Sequence, residues 1–204
     1  MEWSAAIREH FARVADERGV AGPAGELIAL LATGWTEPGA YLEVVDRRGV
    51  RREVWFHKDR LDLVLGFVAF ALEIGRLDAD HLRDVTQLKE WLEVADGEFA
   101  AFRPAEVATL LQAQLEDILE DFEIDSPEDL YQFELQRAFD LGYDQYLTFT
   151  RPVVERVWAE LAGTVAIASA ASNASTMQLR RQAAALEPLY RLATSHAPRI
   201  GARP

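Results

Sequence analysis

Apolar positions recur at helical spacing along most of the chain. In residues 2–18 they are Trp3, Ile7, Phe11 and Val14, which predicts an opening helix. The glycine-rich stretch 19–25 ends it, and Pro23 is placed to open a second helix, GELIALLAT, that stops near Gly34. Residues 58–75 are apolar nearly all round, the pattern of a helix buried at the centre of a fold. Asp78 then reads as the N-cap of a helix extending to Gly97, with a stripe at Leu82, Val85, Leu88, Trp91 and Leu92. Pro104 opens another over 104–124, with a stripe at Val107, Leu111, Leu115, Ile118 and Phe122. Ser126-Pro127-Glu128-Asp129 combines a hydroxyl cap, a proline at the first helical position and acids in the first turn, and starts a helix that ends near Gly142. Arg151-Pro152 opens the last region. There the small residues of 162–176 read as close helix packing or as a flexible join, and 197–204 as a fraying tail.

One segment breaks the helical pattern. AYLEVVD and VRREVWFH are rich in β-branched and aromatic residues, and Asp46-Arg47-Arg48-Gly49 between them has the composition of a tight turn. A β-hairpin over 41–57 is expected, lying on helices because two strands alone are barely stable. Its tip would present Arg47, Arg48, Arg51 and Arg52, either as a solvated tip that discourages edge pairing or as a cationic contact point. The expected fold is a single mainly α, multi-helix globular domain, 1–204, with this one hairpin.

Composition narrows the setting. The chain has 204 residues, half of them hydrophobic, enough to bury a sizeable core. Cysteine is absent, so disulfides, thiolate metal sites and cysteine nucleophiles are excluded. The first nineteen residues carry charges throughout and no apolar signal core. The most apolar run, 61–74, contains Asp62 and Glu73 and is shorter than the roughly 20 residues a membrane span needs. A soluble, cytoplasmic protein with no membrane partner is the expectation.

Charge changes the picture more. The net charge is −13, a sign that disfavours direct nucleic-acid binding. Segment 84–136 holds fifteen acids against Lys89 and Arg103, and the rest of the chain is balanced. Within it Glu116, Asp117, Glu120, Asp121 and Glu123 are expected to face outward, opposite the apolar stripe. Like charges at i,i+4 and anions at a helix C-terminus each cost a few tenths of a kcal/mol, up to about 1. Such a violation of local rules points to a compensating contact, though a merely solubilising face explains the same residues. Three cations would compensate: the chain's own arginines, Arg47/Arg48/Arg51/Arg52 or Arg180/Arg181, in cis or in a second copy; a basic partner protein; or a divalent metal.

Known catalytic signatures are missing. No Glu-x-x-His, His-Glu-x-x-His, Gly-x-Ser-x-Gly, Walker or dinucleotide pattern occurs. His81 with Asp78 or Asp84 is a conceivable metal pair, and an acid-rich helix start accounts for the same residues. Glu90-x-x-Glu93 followed by Asp117-x-x-Glu120 resembles the carboxylate pairs of the all-α nucleoside triphosphate pyrophosphohydrolases of the MazG type, whose pattern is Glu-x-x-Glu then Glu-x-x-Asp. The second pair is reversed here. That resemblance implies Mg²⁺ held by Glu90, Glu93, Asp117 and Glu120 against a nucleotide's phosphates. The reading preferred here is a non-enzymatic adaptor, inhibitor or immunity-type protein, without a cofactor, whose acidic face meets a basic protein surface or a second copy of the chain. The Mg²⁺-dependent pyrophosphohydrolase is the alternative.

Overall fold

A computed structural model describes residues 2–18, 21–37, 39–47, 56–73, 75, 77–120, 126–168 and 174–195. Among them are ten helices and no strand, only an isolated antiparallel bridge between Glu2 and Trp35. No described helix is long and apolar enough to cross a membrane. The chain divides into two compact units, Met1–Pro104 and Ala105–Pro204.

The first unit contains α1 (Ala5–Arg18), α2 (Gly22–Thr33), α3 (Ala40–Arg47), α4 (Phe56–Glu73), α5 (Ala79–Trp91) and the short α6 (Glu98–Phe102). Pro23 lies in the first turn of α2, and Gly34 closes that helix with a left-handed φ of 86°. The all-round apolar segment is the central helix, as its pattern implied: α4 packs against α1, α5 and α6 and contributes the buried Leu61, Val64, Phe67 and Val68. Asp78 caps α5 in a reciprocal box with His81.

The expected hairpin 41–57 does not form. Its first strand is α3, and its second runs from residues outside the described set into the start of α4. The physical reason lies in the period. A strand would bury Tyr41, Glu43 and Val45 together, placing a carboxylate in the core. A helix buries Tyr41, Val44 and Val45 and leaves Glu43 exposed, which is what is observed. β-branched content misleads wherever the burial pattern is helical.

The second unit contains α7 (Pro104–Ile118), α8 (Ser126–Ala138), α9 (Tyr143–Ala168) and α10 (Ala174–Ser195). Val107, Leu111, Leu115 and Ile118 form the buried stripe of α7. The last region begins earlier than Arg151-Pro152: α9 starts at Tyr143 and continues through Pro152. A proline inside a helix removes one backbone hydrogen bond at a cost of roughly 3 kcal/mol. The burial of Thr150, Val153, Val154 and Val157 around it supplies the opposing term. The first part of the expected join at 162–176 is the final two turns of α9, and Trp158 stacks on Tyr190 of α10 with ring centroids 5.0 Å apart. The tail 197–204 lies outside the described residues.

Candidate functional site

The acidic residues singled out by charge lie where α7 ends. That helix stops at Ile118, not near residue 124, and Leu119 and Glu120 form a turn in which the Glu120 N–H donates to the Asp117 carbonyl at 3.4 Å. Glu116, Asp117 and Glu120 are exposed, opposite Leu115 and Ile118. Asp121 and Glu123 lie outside the described residues.

The three described carboxylates have different surroundings. The guanidinium of Arg156, on α9, donates from Nη2 to Glu116 Oε1 at 2.5 Å and reaches Glu160 Oε1 through Nη1 at 3.4 Å. Glu116, and to a lesser degree Glu160, hold the Arg156 guanidinium above its ordinary pKa. Both ends of the Arg156–Glu116 pair are about half exposed, so solvent screens it and it contributes little to stability. Its effect is local: it supplies one internal cation to the edge. Asp117 and Glu120 have no ion-pair partner among the described residues.

Arg156 is the contact that sequence reasoning missed. Its one local signal is Glu160 at i+4, and nothing in the sequence ties it to a helix forty residues earlier. The tie is made by packing, where Gln112 Nε2 on α7 also donates to the Phe149 carbonyl on α9 at 2.7 Å. The arginines proposed for this role lie elsewhere. Arg47 pairs with Glu26 of α2 at 2.8 Å inside the first unit. Arg48, Arg51 and Arg52 lie outside the described residues. Arg180 and Arg181 are exposed on α10, with no ion pair among the described residues.

The carboxylates of the hydrolase alternative do not sit as two pairs on helix faces. Glu90 is on α5 in the first unit, but Glu93 lies beyond that helix, with a left-handed φ of 54°. There it closes the helix: the Val94 N–H reaches back to the Lys89 carbonyl and the Glu93 N–H to the Glu90 carbonyl, the double bond of a Schellman end. The carbonyls of Leu92 and Glu93 both accept from the buried guanidinium of Arg60, which also pairs with Glu98. The residue's position is thus explained by chain reversal. Asp117 and Glu120 belong to the second unit. Among the described residues no group of three or more His, Asp or Glu side chains gathers to hold a metal ion.

His81 and Asp84 are also accounted for locally. His81 completes the α5 cap with Asp78. Asp84 turns inward and, only 3% exposed, accepts a hydrogen bond from the Ser4 hydroxyl. Burial raises its pKa, and the Ser4 bond, Arg83 and His81 oppose that rise. Comparisons with protein-family models, with curated proteins and with solved structures return no match.

Proposed function

We propose that the chain is a non-enzymatic protein–protein interaction protein, of the adaptor, inhibitor or immunity type, whose acidic edge at the end of α7 receives a basic surface of a partner. One observation supports this above the others. Asp117 and Glu120 stand exposed and without an ion-pair partner among the described residues, in a stretch where no Lys or Arg occurs between Arg103 and Arg137. Of the three described carboxylates of this edge, Arg156 pairs with Glu116, and it also reaches Glu160 on its own helix. An edge of this kind favours a cationic surface through steering and partner choice more than through raw affinity.

The test is capture of the partner from the native cell, followed by binding kinetics against Asp117→Asn/Glu120→Gln. Association should slow several-fold and lose most of its salt dependence, while dissociation changes less. The melting temperature of the variant should not fall, because neither carboxylate has an ion-pair partner to lose among the described residues. Unchanged association kinetics would overturn the proposal. Loss of a homodimer in the same variant would identify the partner as a second copy.

A further inference from the structure

The last helix has two unlike faces. α10 packs on α9 and buries Gln182, Leu186 and Ala193. Its opposite face presents Met177, Arg180, Arg181, Ala184 and Pro188, at i, i+3, i+4, i+7 and i+11, and all five are exposed. Arg191 and Leu192 continue the same exposed face toward the C-terminus. Glu187, at its border, is the one acid of the helix and is paired with Arg191. Two guanidiniums remain: Arg180 and Arg181 have no ion pair among the described residues. On a chain of net charge −13, this face is cationic.

The same compact unit, Ala105–Pro204, also holds Asp117 and Glu120, exposed, three residues apart and likewise without an ion pair among the described residues. Glu116 beside them is taken by Arg156. Two cations and two anions of one folded unit therefore do not pair within it, and between two molecules they can. A second copy presents both patches in matching number. A polyanion such as nucleic acid or an anionic membrane is a poorer fit, because the net charge of −13 opposes its approach and only two arginines would receive it. We infer that the outer face of α10 docks on the acidic edge of a second copy, Arg180 and Arg181 against Asp117 and Glu120, in a two-fold dimer. Two-fold symmetry makes the contact twice, since each copy gives one basic face and one acidic edge. This inference rests on the acidic-edge reading and identifies the basic surface as the chain's own. Exposed ion pairs contribute little singly, so the dimer is weak and sensitive to salt, and the charges set its register and partner choice.

Sedimentation equilibrium of the full chain over a concentration series tests it. At low salt the protein should show a monomer–dimer equilibrium, and physiological salt should weaken it about tenfold or more. Arg180→Glu/Arg181→Glu and Asp117→Lys/Glu120→Lys should each be monomeric, with an unchanged helical circular dichroism spectrum. An equimolar mixture of the two variants should dimerise again, because both contacts then join acids to bases. That rescue separates lost charge complementarity from a damaged fold. A parent protein that stays monomeric at every concentration, a dimer that either charge reversal leaves intact, or a mixture that stays monomeric overturns the inference. A monomeric parent whose association with a captured basic protein is slowed by Asp117→Asn/Glu120→Gln overturns it and leaves the acidic edge standing. A monomeric parent that binds an acidic protein or anionic vesicles, and loses that binding in Arg180→Glu/Arg181→Glu, overturns it in favour of that occupant.

Discussion

Asp84 is where a single side chain departs furthest from its chemical preference. Aspartate is rarely buried unless paired with a cation, yet this one faces only the hydroxyl of Ser4 at hydrogen-bonding distance. Arg83 and His81 lower its pKa, but burial outweighs them and Asp80 adds to the rise. The folded protein therefore holds this proton to a higher pH than the unfolded chain does. Between the ordinary carboxylate pKa and the raised one, the folded state binds more protons, so the group's contribution to stability improves as pH falls through that window and is least favourable above it. Asp84→Asn keeps an oxygen that can accept from Ser4 and removes the buried charge. It should melt no lower than the parent at neutral pH, and its gain should shrink as the pH approaches the ordinary carboxylate value. Thermal melts of both proteins across a pH series check this, and a lower melting temperature at neutral pH would refute it. Ser4 itself is engaged twice, since its oxygen also accepts from the Ile7 N–H at the start of α1. The sequence marked Asp84 only as a conceivable metal ligand. Its burial was not legible, because Ser4 comes to it from eighty residues away.

Helix interiors were legible and helix ends were not. The stripes of α4, α5 and α7 follow from period alone, and Pro23, Asp78 and Ser126 marked the starts of α2, α5 and α8 to within a residue. α5 and α7 end earlier than their apolar patterns suggest, and at the end of α5 the chain reversal uses backbone hydrogen bonds that no side-chain pattern encodes. The same lack hid α6, and a β-like composition hid α3. Glu93 shows what such an end costs. It holds the left-handed conformation at the close of α5, where a glycine is the usual occupant. A residue with a Cβ pays about 1 kcal/mol there. Its side chain is exposed and its own contribution to the site is backbone, the carbonyl that meets Arg60. Glu93→Gly should therefore stabilise the protein by up to about 0.5 kcal/mol in chemical denaturation, after allowance for the greater freedom of glycine in the unfolded chain. A loss of stability would mean that the Glu93 carboxylate makes a contribution that the chain reversal does not account for.

Across the whole molecule, charge was the most legible property and its local consequences the least. The sequence located the acidity correctly in one segment. The cation that answers Glu116 became visible only with the packing of α7 against α9. What remains unanswered governs how the protein should respond to salt. A chain at −13 works against its own compactness, since its uncompensated acids repel one another. Asp117 and Glu120 add to that repulsion with no ion pair among the described residues to offset it, and the exposed Arg156–Glu116 pair that salt would weaken contributes little. Salt should therefore stabilise the isolated protein while slowing its association with a basic partner, because screening over about 8–10 Å relieves repulsion in the first case and removes steering in the second. Raising sodium chloride from a few millimolar to physiological strength should increase the melting temperature, and Asp117→Asn/Glu120→Gln should show a smaller increase from a higher starting point. Melting curves over a salt series, recorded beside association rates over the same series, give the two signs in one experiment. A melting temperature that falls with salt would mean that attractive ion pairs dominate the folded chain, and the acidic edge would then have lost its claim to be uncompensated.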